Sequence, residues 1–447
     1  MKFKLPEINC EDLTIAVIGL GYVGLPTALH FAKSGVKVIG FDIDKEKINL
    51  LNNNSLPFFD VGLESTYEDA LQTNRIVFSS ETDSIRDADI ILVIVPTPVD
   101  DQKIPDLKYI RSAGKIIGLN MKQNSIIVLE STVYPGTTEE VLGPIIEKFS
   151  GMKNGQHFHL AYVPERYNPG DEEHTIISVN RIVGAMNHRI ASFVAEIYRK
   201  IVKAEVFIAK NIKTAETAKV IENIQRDLNI ALMNEISLIC EKLGIDVIDV
   251  IEAASTKWNF IKYYPGAGVG GHCLPHDPYY LTMKAQELGY NPQLILAGRR
   301  LNDSMPLHVL RLIQDEFNNI HKPLKSENIL ILGASYKEGT DDLRSSPSKI
   351  LVKELLQKQG RIEIVDPFVK GRELWGVKLH QSFERVNLSE VSCIVIMTQH
   401  SLFNLEKLKE IRQKMDKSEV ILIDGRRRID KEKIKIYYIY RGIGDGY

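Results

Sequence analysis

The 447-residue sequence has no apolar run near the roughly 18 to 20 residues that cross a bilayer, and its start, MKFKLPEINCEDL, has no apolar signal core. Both absences predict a cytoplasmic protein with no membrane partner. Cysteine is scarce: Cys10, Cys240, Cys273 and Cys393 are widely separated and form no CxxC pair. That gives no sign of a disulfide framework or a metal site, and leaves at least one thiol for chemistry. An excess of one charge is lacking too, since 56 Lys and Arg stand against 58 Asp and Glu for a net charge of −2. A polyanion would need a local basic patch. The only dense one, Arg426, Arg427 and Arg428, reads equally as a solvated face or as a hold for one phosphate, so no nucleic-acid partner is expected.

What is present is ordinary globular material, 44% apolar and 26% charged, in a chain long enough for two or three domains. Residues 14–18 (TIAVI) read as a buried strand, followed by GLGYVG, a helical pattern with Gly35 as its C-cap, and a second strand, VKVIGFD. This βαβ order implies a parallel sheet. Further strands are predicted at 89–95, 125–129 and 159–163, with the domain ending near residue 205. One long helix is predicted from about Lys213 to Leu243, a stretch without Pro or Gly. A second α/β pattern follows, with strands at 328–333, 361–366, 392–397 and 420–424 and a helix near Ile350–Gln359. The fold class is therefore α/β, with two Rossmann-like, doubly wound parallel sheets.

In Gly19-Leu20-Gly21-Tyr22-Val23-Gly24 the three glycines suit a tight turn, close approach of a pyrophosphate, and close helix–strand packing. The helix start offers free N–H groups to that phosphate. Asp42, ending the next strand, can accept hydrogen bonds from ribose hydroxyls and repel a 2′-phosphate, which favours NAD over NADP. No arginine stands beside it in FDIDKEK. Thr97 and Thr132 follow later strands at the carboxyl edge where such sheets bind ligands.

The segment from Gly266 to Pro278, GAGVGGHCLPHDP, sets Cys273 in a glycine loop at an expected helix start. The positive helix end there favours a thiolate, and Asp277 can share its face. On the long helix, Lys219, Asn223 and Arg226 form one polar stripe, while Leu228, Leu232, Ile236 and Ile239 form an apolar one. By itself such a polar stripe reads most simply as a solvated face.

Taken in order, GLGYVG, VPTPVDD, ESTVYPGTTE, YVPERYNPGD, AETAKVIENIQRDLNIALMNE, GAGVGGHCLPHDPYYL and YKEGTDDLRSSPS resemble the UDP-glucose/GDP-mannose dehydrogenase family, from about residue 14 to 430. The resemblance implies an NAD-binding domain over 1–205, a helical dimerisation and active-site region over 206–315, and a UDP-sugar-binding domain over 316–447. It further implies a homodimer built around the long helix. Carried over residue by residue, Cys273 matches the catalytic thiol, Lys219 and Asn223 an oxyanion-stabilising pair, Asp277 a water-positioning carboxylate, Glu165 a proposed general base, and Thr132 an active-site threonine. Tyr22, Val23 and Arg344 are expected at the cofactor; Arg166, Arg226, Gly270, Arg299 and Lys337 are expected at the substrate. YVPERYNPGDEEH and AGRRLNDSMP are similar to the branch acting on UDP-N-acetylglucosamine, which feeds surface polysaccharide synthesis. His276 departs from the apolar residue expected between Pro275 and Asp277.

The implied reaction is a four-electron oxidation of a sugar C6 hydroxyl to a carboxylate through a Cys273 thiohemiacetal and thioester. UDP-N-acetylmannosamine and UDP-glucose are the alternative substrates. A two-electron hydroxy-acid dehydrogenase would have no need of the thiol. A non-catalytic NAD- or UDP-sugar-binding regulator would have no need of the thiol, lysine, asparagine and carboxylates together.

Overall fold

The structure, a computed structural model, describes residues 13–58, 62–100, 102–167 and 173–446. Cys10 lies outside them, as do Asp101 and 168–172 of the quoted motifs. By its internal contacts the chain forms two units, residues 1–222 with 279–290, and residues 223–278 with 291–447.

The first unit carries eight strands: β1 (Thr14–Ile18), β2 (Lys37–Phe41), β3 (Ile76–Ser79), β4 (Ile90–Val93), β5 (Ile126–Leu129), β6 (His159–Tyr162), β7 (Arg181–Ala185) and β8 (Val206–Ile208). Their order is β3-β2-β1-β4-β5-β6-β7-β8, and every pairing is parallel except β6 with β7. β4 and β5 are buried along their whole length, as strands covered by helices on both faces must be. The order reverses between β1 and β4, so the turns at Gly19 and Val95 open side by side where ligands of such sheets bind. β8 pairs in register with β7, so the sheet runs on to Ile208.

Helices of this unit are α1 (Gly24–Lys33), α2 (Lys45–Asn52), α3 (Leu63–Gln72), α4 (Lys108–Asn120), α5 (Gly143–Ser150) and α6 (His188–Tyr198). α1 is capped by Ser34, and Gly35 follows it with φ 88°, one residue beyond its expected place. α7 (Ile212–Leu243) starts in the first unit and continues into the second. The Asn211 side chain accepts the Thr214 N–H at 2.8 Å to start it, and left-handed Gly244 ends it.

The second unit repeats the plan with β9 (Asn328–Leu332), β10 (Arg361–Val365), β11 (Glu373–Leu374), β12 (Val377–His380), β13 (Val391–Ile396), β14 (Ile421–Asp424) and β15 (Ile439–Gly442), ordered β11-β12-β10-β9-β13-β14-β15. Only β11 with β12 is antiparallel. Its reversal lies between β9 and β13, and Gly333, with φ 92°, turns the chain there as Gly19 does in the first sheet. The remaining helices are α8 (Val247–Ala254), α9 (Asp277–Glu287), α10 (Gln293–Asn319), α11 (Pro347–Gln357), α12 (Leu405–Arg412) and α13 (Lys431–Ile434). Each sheet is sandwiched between two apolar clusters, one per face, in which a fully buried Leu or Ile contributes about 1.5–3 kcal/mol.

The three arginines after β14 form no open basic patch. Arg427 binds both carboxylate oxygens of Asp246, and Arg426 donates to the Met397 carbonyl. Burial, then the charge of Arg428, pushes the Arg426 guanidinium down to about 10.

Candidate functional site

In the first unit the glycine turn separates into its three tasks. A Cβ on Gly19 would sit 2.3 Å from the Ile94 carbonyl oxygen, and one on Gly24 would sit 1.8 Å from that of Gly19. Both positions are closed by the protein's own backbone. At Gly21 a Cβ would meet nothing within 4 Å, so its bareness serves something outside the chain. α1 begins there with Val23 at its N-cap and no side chain bonding its first amides, the arrangement a pyrophosphate needs. Tyr22, half exposed, packs on Phe58 with the rings tilted and their centroids 4.3 Å apart.

Asp42 is anchored from both sides: Oδ2 accepts the Leu20 N–H at 2.8 Å and Oδ1 the Asp44 N–H at 3.0 Å. Lys47 ion-pairs with Oδ2 at 2.7 Å, a countercharge contributed by α2 that weakens the simple repulsion argument. At the carboxyl ends of β4 and β5, Thr97 Oγ1 donates to the Thr132 carbonyl at 2.8 Å, and Ser131 Oγ donates to that of Val95 at 2.7 Å. The two loops are therefore stitched together with the Thr132 side chain half-buried.

Lys219 and Glu165 also belong to this unit. Lys219 is only 9% exposed. Glu165 is held by three donors: the N–H groups of Arg166 and Tyr167 on Oε1, at 2.6 and 2.5 Å, and Arg181 Nη1 on Oε2 at 2.5 Å. Arg166 turns its guanidinium to Glu222 on α7.

In the second unit, Asn223 and Asp277 meet. Asn223 Nδ2 donates to Asp277 Oδ2 at 2.6 Å, and both side chains are buried. Arg226, exposed, donates from Nη2 to the Asn223 side-chain Oδ1 at 3.4 Å. The stripe read from α7 is thus inverted where it matters: Lys219 and Asn223 are buried, while Leu232 and Ile239 of the apolar stripe are exposed.

Cys273 does not start a helix, contrary to expectation. α9 begins at Asp277, because Pro275 and the turn before it delay regular pairing, and the Cys273 carbonyl accepts from His276 N and Asp277 N at 3.1 and 2.8 Å. The half-buried thiol lies within electrostatic reach of Arg344 and Tyr336. Gly270 and Gly271 permit this, since a Cβ would strike Tyr336 at 2.6 and 2.7 Å respectively. Gly271 N donates to the Arg344 carbonyl at 2.9 Å, and His276 Nε2 meets Ser345 Oγ at 2.8 Å, so the unexpected histidine ties the thiol loop to 336–347. His272 stacks on His276, and burial, then Arg344, lowers its proton affinity. Arg344 forks onto Asp342, which raises its own.

Arg299 stands apart from this group. It is 1% exposed and enclosed by Asp227 at 2.5 Å and by Asp303. Lys337 lies half-buried in the 333–347 loop.

Sequence reasoning missed a buried polar cluster behind Glu165: Arg181 on β7, Glu130 after β5 and Tyr198 on α6. The available signal was an arginine opening the apolar strand RIVGA. It also missed Glu216 on α7, which accepts from Gly136 N, Thr138 N and Thr138 Oγ1 in the loop after Thr132, at 2.5, 2.9 and 2.6 Å.

Three family models match the chain in order: the NAD-binding domain of the UDP-glucose/GDP-mannose dehydrogenase family over residues 13–202, its central domain over 213–304, and its UDP-binding domain over 330–431. UDP-N-acetyl-D-glucosamine 6-dehydrogenase of Salmonella typhi is 40% identical over 402 residues, 90% of this chain and 93% of that protein. Its counterpart in Pseudomonas aeruginosa is 39% identical over 95% of this chain and 99% of its own length. The solved structure of UDP-D-ManNAc dehydrogenase from Pyrococcus horikoshii superimposes with a TM-score of 0.89 at 33% identity, covering 97% of this chain and 100% of that one. With a glycine turn built for NAD and all three family domains present in order, the chain belongs to the UDP-glucose/GDP-mannose dehydrogenase family and is an NAD-dependent nucleotide-sugar dehydrogenase.

Proposed function

We propose that the protein oxidises the C6 hydroxyl of UDP-N-acetylglucosamine to the carboxylate in two steps. Lys219 and Asn223, both buried and one helical turn apart on α7, carry this reading, since an oxyanion develops at each stage of such a sequence. NAD, when bound on the Gly19–Gly24 turn, supplies the hydride acceptor for each oxidation.

Base-assisted loss of the hydroxyl proton together with the C6 hydride gives an aldehyde. The Cys273 sulfur adds to that carbonyl carbon, and the hemiacetal oxygen is stabilised by Lys219 and the Asn223 amide. Loss of the remaining C6 hydride and of the hemiacetal proton leaves a thioester. Asp277, held by Asn223, and Glu165 as general base position a water whose oxygen replaces sulfur, releasing the acid and restoring the thiol. Thr132 orients the reacting groups; Arg166, Arg226, Gly270, Arg299 and Lys337 serve the substrate, and Arg344 the cofactor.

The choice of sugar rests on the relatives acting on UDP-N-acetyl-D-glucosamine and on the segments around Glu165 and Arg299. UDP-N-acetylmannosamine is the second reading, favoured by the Pyrococcus structure. The same proposal includes the three-part division 1–205, 206–315 and 316–447, cytoplasmic action, a place in surface polysaccharide synthesis, and a homodimer around α7. Leu232, Ile239 and Leu243, exposed by 49%, 51% and 65%, support the dimer.

The test is a panel of UDP-N-acetylglucosamine, UDP-N-acetylmannosamine, UDP-N-acetylgalactosamine, UDP-glucose and GDP-mannose with NAD, scored by kcat/KM and product mass. Preference for any sugar but the first overturns the substrate assignment.

A further inference from the structure

In the second unit, Asp227 and Asn234 lie two helical turns apart on one face of α7, and Arg299 and Asn302 lie one turn apart on α10. All four side chains are at most 1% exposed. The helices approach closely enough to join because Gly298 has no side chain, and a Cβ there would sit 2.4 Å from Leu228 Cδ2. Arg299 Nη1 donates to Asp227 Oδ1 at 2.5 Å, and Asn302 Nδ2 donates to the same oxygen at 2.8 Å and to the Asp227 carbonyl at 3.0 Å. Asn234 Nδ2 donates to Asn302 Oδ1 at 2.8 Å, and the Gly266 N–H donates to Asn234 Oδ1 at 2.9 Å.

A backbone N–H at one end can only donate and an ionised carboxylate at the other can only accept, so both amides have one orientation and the bonds run one way, from Gly266 to Asp227. Arg299 balances the charge at the far end. Each bond polarises the next in the same sense, and a break anywhere leaves a buried polar group unmatched. Gly266 is the root of the loop that carries Cys273, and the glycines at 266, 268, 270 and 271 give that loop wide backbone freedom, so its course depends on where it is pinned. Past the root, Ala267 N donates to the Gly425 carbonyl at 2.9 Å, and Gly268, with φ 120°, packs against Pro306 and Pro347.

We propose that Asn234 and Asn302 are positioning residues for Cys273: by pinning the Gly266 N–H they fix the root of the thiol loop, so that the sulfur captures the aldehyde before it escapes. Asn302 acts through Asn234, whose side chain is the one bonded to the loop. The first hydride transfer needs the sugar and NAD aligned. Capture needs the sulfur itself at bonding distance from the C6 carbonyl carbon, and a misplacement of about 1 Å costs on the order of 100-fold in rate. The proposal rests on the reading of Cys273 as the nucleophile, and the experiment separates the two.

Asn234→Ala and Asn302→Ala are assayed as full-length enzymes with NAD and the UDP-sugar that the substrate panel selects. In single turnovers the first NADH should form close to the wild-type rate, while acid formation falls by roughly 10- to 100-fold. Free aldehyde, trapped with hydroxylamine and identified by mass, should appear, and NADH per sugar should drop from about two towards one. KM for NAD should not move, because the cofactor turn lies in the other unit. Asn302→Ala should show the same leak as Asn234→Ala, and the double variant should leak no more than either single one, since both cut the same chain. Urea unfolding of each variant separates stability from capture, and Asn302→Ala carries the test if Asn234→Ala does not fold. A folded variant that makes acid at the wild-type rate with about two NADH per sugar, whatever its loss of stability, overturns the inference, as does a double variant whose leak is the sum of the two. Wild-type acid formation by Cys273→Ser would instead overturn the nucleophile reading.

Discussion

Replacing Glu216 by glutamine tests how α7 is fastened to the loop after Thr132. The Glu216 side chain is wholly buried, and burial raises its carboxyl from 4.5 to about 7 in spite of three donors. For a carboxyl whose folded value lies above its unfolded one, the unfolded chain releases the proton first as pH rises. Stability is then full below about 4.5 and falls until the folded group ionises near 7, by about 1.4 kcal/mol per pH unit and about 3 kcal/mol in all. Glutamine has no such loss. Its Oε1 can still serve Thr138, but its Nε2 cannot accept from Gly136, and a buried N–H left unpaired costs about 1–3 kcal/mol at every pH. The variant should therefore be the less stable protein at about pH 5 and match or exceed the wild type at about pH 8, as measured by urea unfolding at both. A stability difference that does not change with pH would refute the reasoning.

Cys273→Ser should still bind the nucleotide sugar but form no acid, whereas the wild type should yield about two NADH per sugar with no free aldehyde. One NADH per sugar with aldehyde as the final product, followed by absorbance and mass spectrometry, would reject the four-electron scheme. Gly21→Ala should fold normally and weaken NAD binding, since its methyl enters open space, while Gly24→Ala should destabilise the first unit, its methyl lying 1.8 Å from a carbonyl oxygen. Thermal unfolding and NAD titration of the pair check both, and equal stability would remove the packing argument. Asp227→Ala should cost about 3–5 kcal/mol by removing the buried carboxylate that pairs with the buried Arg299, and a urea midpoint within error of the wild type would contradict this.

Much of this protein was local enough to be read along the chain. The strand–glycine turn–helix at 14–33, the uninterrupted α7 and the second run of apolar strands from Asn328 depend on periodicity and backbone freedom within a few residues, so sequence alone determined two doubly wound sheets and an NAD turn. The ordered motifs likewise named Cys273, Lys219, Asn223 and Asp277. Tertiary structure decided what those residues face. Asn223 meets Asp277 54 positions away, Glu216 caps a loop 80 positions back, Tyr198 reaches Glu130 across 68, and Arg299 is enclosed by Asp227 across 72. Helical spacing could group Lys219 and Asn223 on one stripe but could not say whether that stripe met solvent, because burial is a property of the elements packed against it.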